Sequence, residues 1–237
     1  MKFAVVTTYA DRHWDVYVKR CMKSYRKYWS ASIPLIAYED QDLYGRAPWQ
    51  REFKERHALR PTHDYRFDAV RFSHKVAAIE LASVYADIDH QADVLVWMDA
   101  DCVTHAPVDA AWLEGLLGDA DFAYLSRKAK YPECGFMLFR LGSTHVRQLI
   151  RSVADLYRTD ALFALREWHD SFAIEHCRAR IPALRCVSLS GGAEDTAHPL
   201  VNGPLGSRLD HLKGKRKVTG RSGARDLRVK RTEVYWQ

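Results

Sequence analysis

The sequence predicts an α/β fold with a central, mostly parallel sheet flanked by helices, and three stretches carry that expectation. Residues 2–38 run strand, helix, strand, the length of a βαβ unit. Val94 to Val103 is a short, Val-rich apolar run interrupted by two carboxylates, Asp99 and Asp101, as expected of a strand buried on both faces that ends at a polar edge. Between them, Ser73 to Ala86 repeats apolar residues at helical spacing, which is the crossover a parallel strand requires.

In chain order, Lys2–Thr8 is the first strand, followed by a turn at Tyr9-Ala10-Asp11. Trp14, Tyr17, Val18, Cys21, Met22, Tyr25, Tyr28 and Trp29 then recur at three- and four-residue steps, a helix with Asp11 as its expected N-cap. Ile33–Tyr38 reads as the second strand, with Pro34 at its start or edge. Residues 39–69 are polar, aromatic and basic, contain Pro48 and Pro61, and show no clean period, so they predict a long inserted loop of the kind that forms lids. Beyond the Asp99 strand come a short helix at Ala110–Leu117, strands at Phe122–Leu125 and Glu133–Gly142, a surface helix at Thr144–Tyr157, and a further helix beginning near Trp168 with Asp170 in its first turn.

At 237 residues and 47% hydrophobic, the chain can bury one substantial core, which predicts a single domain over 1–237. Met1-Lys2 leads into only a short apolar stretch and no run reaches membrane-spanning length, so neither a signal peptide nor a span is expected. Five cysteines without CxxC spacing argue against zinc and against a disulfide framework, and fit a reducing cytosol.

Two hard oxygen donors at i and i+2, emerging where open α/β sheets hold ligands, suit Mg²⁺ or Mn²⁺ with a phosphate completing the shell; a solvated strand end is the plainer reading. Arg71 and Lys75 at a helix start would favour an anion or simply be solvated. Glu133, just before Gly135, is either a site residue beside a close backbone approach or a charge at a strand end. Asp170 is favoured by the helix dipole whether or not it does chemistry. From Lys213 to Arg231 there are nine basic residues against one acid, Asp226, a local +8 set against +6 for the whole chain. Such a segment, over 213–237, is either an anion-binding arm or a disordered solvated tail, and His211 and Gly214 beside these cations argue for the arm.

Together, a first strand ending in Thr7-Thr8, Asp99-x-Asp101, a strand with Gly135, and His211-x-x-Gly214-x-x-Lys217 resemble the GT-A glycosyltransferases, closest to the retaining family-8 type. The resemblance implies a Rossmann-like nucleotide-diphospho-sugar transferase fold. It implies Mn²⁺ (or Mg²⁺) on Asp99, Asp101 and His211, a donor diphosphate on Gly214 and Lys217, and nucleotide contacts from Thr7, Thr8 and Tyr9. A UDP-sugar is the favoured donor, with Arg71 or Lys75 sharing the diphosphate charge. Asp170 and Glu133 are the carboxylates available for catalysis, Asp170 the preferred one. The chain departs from the family where Glu133 stands for Asn, His169-Asp170-Ser171 for Asp-Gln-Asp, and Val218-Thr219 for Pro-Trp.

Other readings start from the same residues. Asp99-Ala100-Asp101-Cys102-Val103 also fits the DxDx[TV] motif of haloacid-dehalogenase-like phosphatases, but it lies mid-chain, and the only adjacent acidic pair after residue 190 is Glu194-Asp195. A nucleotidyltransferase would need a Gly-rich first loop that is missing here. The basic C-terminal arm admits nucleic acid as a partner, or as the acceptor of a transferase; a glycan, a lipid-linked sugar or a protein are the other acceptors.

Overall fold

The structure, a computed structural model, describes residues 1–60, 63–88 and 91–237. Its frame is a six-stranded sheet in the order β2-β1-β3-β6-β5-β7. The strands are β1 (Phe3–Tyr9), β2 (Leu35–Glu39), β3 (Val94–Met98), β5 (Phe122–Leu125), β6 (Glu133–Arg140) and β7 (Cys186–Ser188). β1 runs parallel to β2 and to β3, and β5 parallel to β7, whereas β6 lies antiparallel between β3 and β5. A separate antiparallel pair joins β4 (Cys102–Thr104) to β8 (Leu209–His211).

Alternation along the strands sends side chains into two cores, one on each face of the sheet. Ala4, Val6, Leu95 and Trp97 face α3 (Pro48–His57), α4 (Ala69–Ile88), α6 (Thr144–Arg158) and α7 (Asp170–Arg178). Phe3, Val5, Val94, Val96 and Met98 face α1 (Lys19–Tyr28), α5 (Ala110–Leu117), the turn α8 (Pro199–Asn202) and Trp236. The helix α6 shows why its sequence was legible: Val146, Leu149, Ile150, Val153, Ala154 and Tyr157 form one buried stripe, and Ser143 Oγ accepts from the Val146 amide at 3.4 Å.

Residues 39–69 differ from the expected loop. They hold α2 (Asp40–Arg46), α3 and a 3-10 turn at Tyr65–Phe67; Pro61 lies outside the described residues. Glu39 and Asp42 form a reciprocal cap on α2, and Pro48 opens α3. Each helix buries few apolar residues, Leu43 in α2 and Phe53 in α3, so no period showed. The first helix differs too: a 3-10 turn at Asp11–His13 and a π-helix at Trp14–Val18 precede α1, and Asp11 is not a side-chain cap. Because α4 begins at Ala69 rather than Ser73, Lys75 sits in its second turn, facing the sheet.

The C-terminal segment is not a free arm. Trp236 is buried and its Nε1 donates to Gly206 O at 2.7 Å, and Tyr235 stacks on His105 and donates to Asp210 Oδ2 at 2.9 Å. Asp210, fully buried in β8, also accepts from Ser222 N and Oγ at 2.7 and 2.6 Å. Arg216 of the short helix α9 (Arg216–Thr219) pairs with Asp226, and Arg231 donates to Val201 O. These contacts clamp β8 in place. Among the described residues, no helix is long and apolar enough to cross a membrane.

Gly135 lets β8 approach β6. A Cβ there would stand 2.5 Å from the His211 ring, so the close approach read from the sequence is made by a side chain of this chain.

Two outcomes follow for stability. Trp236→Ala is expected to lose about 3–5 kcal/mol in urea unfolding, as buried aromatics do; a loss below about 1 kcal/mol would mean the clamp contributes little. Gly135→Ala is expected to cost about 1–3 kcal/mol by overpacking, while Gly142→Ala, where a Cβ meets open space, serves as the near-neutral control.

Candidate active site

The strand β3 ends against the mouth of a cleft, and the next turn presents Asp99 and Asp101. Asp99 lies on the same face as Trp97, whose Nε1 donates to Asp99 Oδ1 at 2.8 Å. Lys75, reaching from α4, places Nζ 2.8 Å from Asp99 Oδ1, 2.6 Å from Asp170 Oδ2 and 3.0 Å from Cys134 O. Burial opposes the charge on Lys75, yet Asp170 and Asp99 more than reverse this and raise its pKa.

Asp101 is reached by groups from far later in the chain. His211 Nε2 lies 3.0 Å from Asp101 Oδ1 and 3.5 Å from Asp99 Oδ2, and Lys217 Nζ lies 2.9 Å from Asp101 Oδ2. The register that does this is Cys102 opposite His211, reinforced by Leu212 N donating to Asp101 O at 2.9 Å. Burial would lower the His211 pKa, but Asp101, Asp99 and Glu133 raise it well above the ordinary imidazole value. Burial likewise pushes both aspartates up, and their cationic partners, Lys75 foremost at Asp99 and His211 at Asp101, bring them below the usual carboxylate range.

Glu133 is buried under this cluster. It accepts from His211 Nδ1 at 2.9 Å, from Lys213 Nζ at 2.8 Å and from an Arg127 guanidinium nitrogen at 3.1 Å. His198 Nε2 donates to the His211 carbonyl at 2.9 Å, and burial lowers the His198 pKa to about 4. Asp170, 4% exposed, accepts from Ser171 N at 2.8 Å at the start of α7, which His169 caps by accepting from Phe172 N.

Do these groups suit a divalent cation? Two carboxylates and an imidazole converge, with Lys217 and the His211 proton occupying the oxygens that a metal would take, and once that proton leaves Nε2 to a cation the donors are hard oxygen and a neutral imidazole nitrogen. Asp99, Asp101 and His211 therefore fit Mn²⁺ or Mg²⁺. Metal-capable atoms of Asp101, Cys102 and His211 also lie within 4.8 Å of one another. The Cys102 thiol, however, is buried, has its pKa raised well above the free value, and points its sulfur at Gly135 O, which makes it a poor ligand for a hard ion.

The cleft has two lobes that share Arg71, Lys75, Asp99, Asp101, Gly214 and Lys217. One, of about 790 Å³, is bounded by Thr8, Tyr9, Tyr17, Asp40 and His74. The other, of about 1090 Å³, is bounded by Tyr65, Tyr131, Glu133, Arg166 and Asp170. Thr8 Oγ1 donates to Tyr38 O at 2.9 Å, Tyr9 packs against Trp14, and Gly214, with φ +56°, turns the chain between the lobes. Thr7 alone of the expected contacts lies away from the cleft, fully buried, since alternation along β1 turns it inward. Sequence reasoning missed Arg127, His198 and Tyr17, each isolated in sequence from any motif; Tyr17 belongs to the aromatic stripe of the first helix, and its ring stands 4.4 Å from Lys217 Nζ.

No protein-family model and no curated protein matches the chain. Among solved structures, a glycosyltransferase involved in the glycosylation of the major capsid of PBCV-1 matches over 92% of this chain and 98% of its own, with TM-score 0.56 and 12% identity. Mouse xyloside xylosyltransferase 1 matches over 80% of this chain and 85% of its own, with TM-score 0.45 and 10% identity. The bifunctional glycosyltransferase WbbM matches over 79% of this chain and 38% of its own, with TM-score 0.46 and 13% identity. The sheet, its flanking helices and the alignment along nearly the full length of the first of these structures give the chain the GT-A fold.

Proposed function

We propose that the protein is a metal-dependent glycosyltransferase that moves a sugar from a nucleotide-diphosphate sugar, a UDP-sugar foremost, to an acceptor hydroxyl with retention. The observation that carries this reading is the meeting of Asp99 and Asp101 with His211 and Lys217, at the waist of a two-lobed cleft. Asp99, Asp101 and His211 are the residues that would hold Mn²⁺ or Mg²⁺, which when bound supplies Lewis-acid neutralisation of the leaving diphosphate. Lys217 adds charge from the protein side and Arg71, exposed at the junction of the lobes, can add more.

The two other carboxylates divide the remaining work. Asp170 lines the second lobe and is kept ionised by Lys75: burial alone would raise its pKa, and the ammonium brings it down. A carboxylate of that kind suits electrostatic stabilisation of an oxocarbenium-like centre better than uptake of a proton. Glu133, 3% exposed and bonded to Nδ1 of His211, fixes the tautomer that leaves Nε2 toward the metal position.

The phosphatase reading loses support because neither Glu194 nor Asp195 lines either lobe, so that adjacent acidic pair does not face Asp99. The nucleic-acid reading rested on a basic arm, and of that segment Lys213, Gly214, Lys217 and Val218 line the cleft, whereas Arg221 stacks on Tyr235 and Arg231 is bonded to backbone.

Asp101→Ala is expected to reduce metal-dependent turnover of UDP-sugars by about 100-fold or more while leaving the far-ultraviolet circular dichroism unchanged; substantial retained activity would sink the assignment. Asp170→Asn and Glu133→Gln are expected to separate. The first should lower kcat by about 100-fold at near-constant Mn²⁺ affinity, and the second should weaken Mn²⁺ binding, read by calorimetry, by about 10-fold. Identical behaviour of the two variants would merge their roles.

A further inference from the structure

The charge balance of the second lobe deepens this reading by specifying the acceptor. The carboxylates lining that lobe are engaged by the protein itself. Glu167 accepts from His169 Nε2 at 2.9 Å, Glu175 pairs with Arg178 at 2.6 Å, and Asp170 holds Lys75. Glu133 is over-compensated, with Arg127, Lys213 and His211 all on one carboxylate.

What remains facing the space is positive. Lys130 and Arg166 line the lobe, are exposed, and make no ion pair among the described residues. Arg166 gives one guanidinium nitrogen to Tyr131 Oη and lies 5.8 Å from the rings of Tyr131 and Phe172, which fixes its plane and leaves its other donors free. Arg71, also without an ion pair, stands at the junction with the donor lobe, where a diphosphate would use it. Beside these cations, Tyr65 is 60% exposed and offers a ring face.

A planar guanidinium held by aromatic rings, an ammonium lining the same lobe and an open tyrosine face suit a sugar ring carrying a negative group. The cations of this lobe face one space rather than tracking a groove, and the exposed basic residues Lys215, Arg225, Arg228 and Lys230 of the C-terminal segment line neither lobe. We infer that the acceptor is an anionic saccharide, its carboxylate or phosphate held by Lys130 and Arg166 beside the hydroxyl that is glycosylated. The inference rests on the glycosyltransferase reading for the direction of transfer, and on the lobe itself for the charge.

The experiment uses the full chain with UDP and Mn²⁺ present and calorimetric titration of four probes: trigalacturonic acid, neutral maltotriose, glucose 6-phosphate and glucose. At least one anionic probe is expected to bind about tenfold or more tightly than its neutral counterpart, with affinity falling as salt rises. Which of the two does so separates carboxylate from phosphate. The Lys130→Gln/Arg166→Gln double variant, altered only at exposed side chains, is expected to lose that tenfold preference with its melting temperature held. The inference is overturned if the neutral sugars bind as well as the anions, if neither anion binds at millimolar concentration, if the double variant keeps the preference, or if oligothymidylate displaces the bound anion and binds more tightly. Failure of UDP to bind in the presence of Mn²⁺ would instead remove the donor reading. The same four titrations without nucleotide then decide the charge preference of the lobe.

Discussion

The site depends on one short backbone pairing, the antiparallel register of β4 with β8 that sets His211 opposite Cys102. Three facing residue pairs carry it, and it spans more than a hundred positions of sequence. Without that register the Asp99-Ala100-Asp101 turn would be a pair of carboxylates at a sheet edge. With it, an imidazole and an ammonium arrive on the same oxygens. The pairing is itself held by the buried Asp210, whose oxygens take Ser222 and Tyr235, and by the vacancy of a side chain at Gly135. The C-terminal residues therefore act on the site at a distance, through the strand they clamp.

Such a cluster would be unfavourable if any member were left unpaired. Removing an ion from water costs several kcal/mol after relaxation, and attraction in the interior offsets this only where partners are close and hydrogen-bonded. Here Asp99, Asp101, Glu133 and Asp170 are matched by Lys75, Lys213, Lys217, Arg127 and a protonated His211. The arrangement is close to neutral as it stands. A dication accompanied by a diphosphate would add little net charge beyond the loss of the His211 proton, with Asp99, Asp101 and a neutral His211 the groups that would hold the cation and Lys217 free to face the anion. Lys75 is the fixed part of this exchange, because Asp170 on its far side holds it when Asp99 is engaged elsewhere.

The sequence was most informative where chemistry and periodicity coincided. The strands around Val5 and Val96 and the helices carrying Val146 and Leu113 fell close to their observed spans, since each presents a clear apolar pattern. The region 39–69 was opaque because α2 and α3 each commit only one or two large apolar residues to the core and are instead defined by a cap and a proline. Strands β7 and β8 were invisible for a related reason: each is three residues long, and length that short carries no period.

By itself the sequence determined the donor atoms: Asp99 and Asp101 at a strand end, His211 and Lys217 at their spacing, and the surplus of positive charge late in the chain. Only the tertiary structure decided how they are used. It made Glu133 the partner of His211, left Thr7 out of the cleft, and anchored the C-terminal segment through Tyr235, Trp236, Arg216 and Arg231. The physical reason is that ionic and hydrogen-bonding roles are set by distances of about 3 Å between groups remote in sequence, and neither composition nor period encodes those distances.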